Sequence, residues 1–366
     1  MNIRCLTDEP GAPGFTRKPS RFLLAIAIAL LLAAATSLSF ARGDDDDDRD
    51  PRDGRFCSAT AAILFAACGH EVADDFLVAK AKCINLEDVR ERRDCLAEAK
   101  SSRAQATQVC GKQRNWRRDA CRVLGEARYD PKFDPINFDS DFRNLSNPNP
   151  YFPLGIGHRW EYRGGTELNI VEVANETKLI EGVRCVVLRD LVYDNGRLKE
   201  ATDDWYAAGR DGSTWYCGEE VKDYESFEGD MPLRAELVKI SGSFKHGRDG
   251  DKAGIIMPAS PRAGQAYLEE FSLGNAEDVS EILSVTYAYG TDRELDRLVP
   301  RDLAQRMCPG NCVVTKNYSL LEPGIYARKY YARGIGFFLE TKPDEAKATQ
   351  LTHCNFDSRC TALPAP

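Results

Sequence analysis

CINLEDVRERRDC, Cys83 to Cys95, sets two cysteines around eleven mostly charged residues. Whether this pair is a metal site, a redox pair or a staple decides the fold of the segment. Six cysteines lie there, at 57, 68, 83, 95, 110 and 121. The steps are eleven then fifteen up to Cys83, and fifteen then eleven from Cys95. A helix turns about 100° per residue, so such steps keep each arm's cysteines near one face. Two antiparallel helices then bring Cys57 to Cys121, Cys68 to Cys110 and Cys83 to Cys95. Cys110 and Cys121 on one helix would stand about 16 Å apart, and a disulfide needs Cα atoms within about 7 Å. Zinc wants close C-x₂₋₄-C pairs and a redox site wants CxxC; the segment has neither. The reading is a stapled helical hairpin over 56–129, suited to a thin helical pair that buries little apolar surface.

The surrounding residues agree with that reading. The segment contains no proline and is rich in Ala, Leu, Lys, Arg and Glu. Ala59, Ala62, Ile63, Ala66 and Ala67 recur at helical spacing. Asn85 is expected to cap the second helix, with Asp88 as its capping-box partner, and Gly125 to end it. KQRNWRRDACR, Lys112 to Arg122, is read as a solvated helix face with one packed aromatic, a nucleic-acid or anionic-surface contact being the sharper alternative.

Towards the N-terminus, Arg17, Lys18 and Arg21 precede the apolar run Phe22 to Leu38, and Ser39-Phe40-Ala41 supplies small residues for cleavage. Residues 1–41 read as a signal peptide, with a retained anchor as the competing reading. No membrane span is expected after cleavage. An exported chain keeps twelve of its thirteen cysteines, an even number suited to disulfides in an oxidising compartment. The expected location is secreted or periplasmic. The aspartate block in 42–55 reads as a solvated acidic linker.

Residues 130–153 are dense in Pro, Asn and Asp and read as a linker or extended strap. From 154 to 342 the pattern changes to period two, the mark of strands. A polar, Cys-containing tail over 343–366 follows. The fold class is α+β: a disulfide-stapled antiparallel helical hairpin followed by a mostly antiparallel, curved β-sheet domain. Asn195-Gly196 and Asp211-Gly212 read as two-residue hairpin turns. That register makes Cys185 face Tyr206, and Tyr206 face Cys217. Thiols on the two outer strands would lie roughly 10 Å apart, so Cys185 and Cys217 are expected reduced and buried. One face would carry Cys185, Val187, Leu191, Tyr206, Trp215 and Cys217, the other Val186, Leu188, Val192, Trp205 and Tyr216. Both are apolar, so something covers the second side. Cys308, Cys312, Cys354 and Cys360 admit local pairs or nested pairs.

Chemistry is harder to find. His70, His158, His246 and His353 lie at no ligand spacing, and no nucleophile, zinc or phosphate-loop motif occurs. Asp203-Asp204 and Glu219-Glu220 are strand neighbours that point to opposite faces. No catalytic residue, metal or cofactor is expected, and a net charge of −8 speaks against nucleic acid as a partner.

PYFPLGIGHRWEYRG, DDWYAAGRDGSTWYCGEEVKDYE, GIIMPASPRAGQAYLEEF and KYYARGIGFFLE resemble uncharacterised exported bacterial proteins. In these, FPL-x-x-G-x-x-W-x-Y opens an antiparallel β domain after a Cys-rich helical segment. The β domain is similar in outline to periplasmic lipoprotein-carrier half-barrels, whose curved sheet holds acyl chains. The expectation is a non-enzymatic binding module, with a lipid-like or other apolar molecule held by Trp160, Tyr162, Tyr206, Trp215 and Tyr330. The alternatives are a structural protein that meets an envelope protein partner, and a hydrolase with dispersed residues.

Overall fold

The computed structural model describes residues 54–366. The signal peptide, the anchor alternative and the aspartate block lie outside the described residues. Helix α1 (Phe56–Ile84) and helix α2 (Val89–Leu124) run antiparallel. Disulfides join Cys57 to Cys121, Cys68 to Cys110 and Cys83 to Cys95, with Cα atoms 5.7, 5.8 and 5.5 Å apart. The turn differs from expectation. Asp88, not Asn85, caps α2, its carboxylate accepting from the N–H groups of Arg90 at 2.7 Å and Glu91 at 2.9 Å. Asn85 ends α1 instead. At the open end, Glu126 serves α1 from across the hairpin, accepting from Ser58 N–H at 2.9 Å and Ser58 Oγ at 2.5 Å. These hydrogen bonds hold its carboxyl below the usual range.

By length and composition α1 could cross a membrane, which the sequence reading did not foresee. It is tied at three points to α2, which carries ten Lys and Arg and four Asp and Glu. Crossing would drag those charges with it.

The β domain is a single antiparallel path. A meander of β1 (Arg159–Gly164), β2 (Glu167–Ile180), β3 (Val183–Asp194), β4 (Arg197–Ala208) and β5 (Thr214–Glu225) opens it. Short strands β6 (Glu236–Lys239) and β7 (Phe244–Lys245) pair with β5, as does β8 (Lys252–Met257). Then come β9 (Ala266–Leu268), β10 (Glu270–Phe271) and β11 (Asp278–Tyr287). Helix α3 (Arg301–Met307) precedes β12 (Cys312–Ser319), β13 (Ala327–Ala332), β14 (Gly336–Lys342) and β15 (Lys347–Cys354). The order is β10-β8-β5-β4-β3-β2-β1-β15-β14-β13-β12-β11-β9. Its two ends, β9 and β10, are separated only by Glu269, so the sheet nearly closes into a barrel. Gly254 marks that seam: a Cβ there would sit 2.1 Å from the Glu269 carbonyl oxygen.

Residues 343–366 are not a tail. β15 fills the place between β1 and β14, and the local disulfides Cys308–Cys312 and Cys354–Cys360 form. The stretch 130–153 packs as a strap, burying Phe138, Phe142 and Phe152.

Two irregularities correct the expected register. At Asn195-Gly196, φ is +49° and +75°, and Asp194 faces Arg197. A bulge between Val192 and Tyr193 then shifts the pairing by one, so Val186 faces Tyr206. The second loop is longer than two residues, with Gly209 N–H bonded to Ser213 O at 2.8 Å, and Tyr206 faces Tyr216. A one-residue slip exchanges faces. Tyr206 therefore joins Val186, Leu188 and Tyr216 in the main core, while Trp205 joins Cys185, Val187, Ala207 and Cys217 under the strap. Phe133 and Phe138 of the strap cover this second side.

The same irregularity corrects the thiols. Cys185 and Cys217 are buried, as expected, but bonded, with Cα atoms 6.9 Å apart. A second bulge between Trp205 and Tyr206 makes Cys217 the extra residue on β5. Bulges bend and twist a strand, which brings the flanking strands closer than the flat spacing of roughly 10 Å. The six disulfides suit an extracytoplasmic compartment.

Candidate functional site

The base of the hairpin lies on the seam of the sheet. Arg117 of α2 is 5% exposed and Glu277 is 2% exposed. The guanidinium donates from Nε and from Nη2 to the two carboxylate oxygens, each at 2.8 Å. Glu277 also accepts from Gly274 N–H at 2.6 Å. Trp116 donates from Nε1 to Ser319 O at 3.0 Å and meets Tyr318 edge-on. Gln113 donates to Leu321 O at 2.8 Å. Ala120 packs with Val279, Tyr318 and Leu320. The packed aromatic expected within Lys112–Arg122 is thus Trp116, while the neighbouring Arg117 is a buried anchor.

Beside this anchor is a cleft of about 680 Å³. Its helical wall includes Ala59, Ile63 and Leu64 of α1 and Leu124 of α2. Its sheet wall includes Ile255, Leu268 and Phe271. Cys57 and Cys121 also line it, so the first disulfide rung is part of the wall. Ile63, 67% exposed, stands at the rim. Polar groups line it as well. Tyr129 donates to Ala253 O at 2.8 Å, and burial pushes its phenol well above the usual range. Lys252 pairs with Asp130 at 2.6 Å; that hydrogen bond and the ammonium charge lower the Asp130 carboxyl. Arg128 lies over the Phe56 ring at 4.3 Å. An apolar trough edged by charged groups can hold a molecule with an apolar body and a polar head.

None of the five expected ligand residues lines this cleft. Trp160, Tyr162, Tyr206 and Tyr330 are buried in the main core, and Trp215 packs under the strap. The core spends their polar tips internally: Trp160 Nε1 donates to Ile335 O at 2.9 Å, and Tyr162 Oη to Phe337 O at 3.1 Å. These rings are packed in the core and do not line the cleft. The cleft residues come from 56–64, 117–130 and 252–277, with Leu320, segments far apart in sequence. Apolar residues of the α1 stripe were visible in the pattern; their partners on β8–β10 had no signal.

A second polar group lies inside the sheet. Tyr216 Oη lies within hydrogen-bond distance of both Asp204 and Glu219, the latter at 3.0 Å. Asn169 donates to Asp190 at 2.7 Å and Asn317 to Glu269 at 2.8 Å. Burial, aided by the nearby Asp204 and Glu200 charges, pushes the Asp190 carboxyl well up. Burial also raises Glu269. All four carboxylates are buried away from solvent. Asp204 is buried while Asp203 is not, and Glu219 is buried while Glu220 is exposed, as strand alternation requires. Among the described residues, no group of three or more His, Cys, Asp or Glu could hold a metal ion.

No family model matches the chain, and no curated protein matches it. A solved structure from Bacteroides fragilis NCTC 9343, described as exported and of a YmcC-like fold, is similar at 12% identity and a TM-score of 0.26. The match covers 57% of this chain and 98% of that one.

Proposed function

We propose that the protein is a non-enzymatic binding module, secreted or periplasmic, that holds an apolar or amphiphilic small molecule in the cleft between hairpin and sheet. The cleft itself carries this reading. Its volume falls within the roughly 300–1,000 Å³ of small-molecule sites, much of its lining is apolar, and Arg128, Lys252 and Tyr129 are among its polar lining residues. The site lies on the seam side of the sheet and not among the aromatic core residues. The buried carboxylates of the interior have no exposed surface from which to act on a substrate.

The test is native mass spectrometry of protein from its own compartment, followed by titration with a fluorescent fatty acid. Ala59→Trp and Ile255→Trp narrow the cleft from opposite walls. Retained amphiphile, and uptake weakened at least tenfold by either variant, are expected. A clean apo mass with no fluorescence change would return the protein to a structural or protein-contact role.

A further inference from the structure

The hairpin has a second face, turned away from the β domain. Gln113, Trp116, Arg117 and Ala120 make the contacts to the sheet. Lys100, Arg103, Arg114 and Arg118 follow one another at helical spacing on another side of α2. Glu91, Asp94, Glu98 and Asp119, the carboxylates of α2, are rotated from that row by about 100° or more at 100° per residue. Those four cations have no carboxylate partner among the described residues. Two of them rest on phenyl rings of α1: Arg103 over Phe76 at 4.8 Å and Arg114 over Phe65 at 5.1 Å. Those contacts fix which flank of α1 shares the face. It carries Ala62, Phe65, Gly69, Ala73 and Phe76, again without a carboxylate.

The charge is locally strong. α2 has a net charge of +6, from ten cations and four anions, on a chain whose total is −8. α1, with two lysines and three carboxylates, barely offsets it. Between Gly69 and Val109 only Val72, Cys83 and Ala99 are buried, so the distal arm stands in solvent. At its tip Ile84 is 58% and Val89 69% exposed. Basic side chains interleaved with exposed apolar ones along a helix are the composition of an interfacial membrane contact.

We propose that this outward face of the hairpin docks on an anionic phospholipid bilayer. Opposite charge supplies the attraction, at about 1 kcal/mol per Lys or Arg near the surface, and the phenyl rings and tip residues supply shallow apolar burial. A second copy would present the same positive face, and like charges repel. Three disulfide rungs keep the two helices in register, so cations and rings meet the surface as one rigid unit.

The test is vesicle co-sedimentation of the full chain, with mixed phosphatidylglycerol–phosphatidylcholine against phosphatidylcholine alone. Arg103→Gln/Arg114→Gln and, separately, Lys100→Gln/Arg118→Gln remove two cations each. The second pair touches no ring, which guards against misfolding of the first. Each should bind anionic vesicles about 30-fold more weakly, from two contributions of about 1 kcal/mol. The matched variant Lys112→Gln/Arg197→Gln, off the face, should bind as the wild type does. The N-terminal apolar run is common to all variants and cancels. Equal binding by all variants would overturn the proposal, as would equal binding to neutral vesicles. Binding to heparin or DNA without binding to anionic vesicles would also overturn it.

Discussion

Arg117→Ala is the sharpest perturbation of the cleft's architecture. The substitution removes both guanidinium hydrogen bonds to Glu277, each 2.8 Å. It leaves a carboxylate that is 2% exposed with the Gly274 N–H, at 2.6 Å, as its remaining donor among the described residues. Breaking a buried pair by removing one partner costs about 3–5 kcal/mol, mostly from the stranded charge. For a chain of this size, each kcal/mol lowers Tm by about 1.5–2 °C, scaled from smaller domains. A fall of about 5–10 °C is therefore expected. The hairpin should also loosen on the sheet, so amide exchange should quicken in 112–122 and 319–321. The double variant Arg117→Met/Glu277→Gln removes both charges while keeping an acceptor for Gly274, and it should recover most of the loss. Urea and thermal unfolding of the wild type, Arg117→Met, Glu277→Gln and the double variant give the coupling energy. A cost below about 1 kcal/mol for Arg117→Ala, or strict additivity in the double variant, would refute the claim that this pair anchors the hairpin.

Three further outcomes follow from the β domain. Cys185→Ala/Cys217→Ala should destabilise by about 3–4 kcal/mol on the chain-entropy account, since the bond closes a separation of 32 residues; alkylation of Cys185 in the denatured, unreduced wild type would contradict the bond. Asp190 is held well above its usual 3.8, so the fold keeps a proton that the unfolded chain releases. Its contribution is full below about that value and is lost as pH rises through the folded pKa. Asp190→Asn should therefore gain on the wild type between pH 4 and 8 in urea midpoints, and parallel curves would refute this. Gly254→Ala should cost about 2–3 kcal/mol by overpacking, because its Cβ would meet the Glu269 carbonyl at 2.1 Å; an unchanged urea midpoint would mean that the seam can open without penalty.

The hairpin was legible because cysteine spacing is a geometric statement. Eleven and fifteen residues on both arms leave few ways to bring sulfurs within bonding distance. The strands were legible from alternation, but their register was not. The bulge between Val192 and Tyr193 adds one residue without any composition signal, and that single residue moved Tyr206 from the strap side to the core. The same kind of irregularity hid the Cys185–Cys217 bond. β15 was hidden because KATQLTHC is polar enough to read as a tail, yet Gln350, Leu351 and Cys354 are buried between two neighbours.

The cleft shows why the site was harder to read than the fold. Its walls meet only because the sheet closes at Glu269 and the hairpin then sits on the seam. Each of those events depends on contacts between distant segments: Gly254 with Glu269, and Arg117 with Glu277. The cysteines, by contrast, report the cleft indirectly. Cys57 and Cys121 form the rung nearest the sheet and also line the cleft. Reducing that rung would therefore free the very turn of α1 that carries Ala59 and Ile63. The more distal rungs lie along the outward arm, where they hold Phe65 under Arg114 and Phe76 under Arg103. One ladder thus fixes two surfaces, the inner wall of the cleft and the basic outer face. Selective loss of Cys57–Cys121 should weaken uptake in the cleft, while loss of Cys83–Cys95 should weaken vesicle binding. If both variants impaired both activities equally, the hairpin would act as one undivided body and the assignment of separate surfaces would fail.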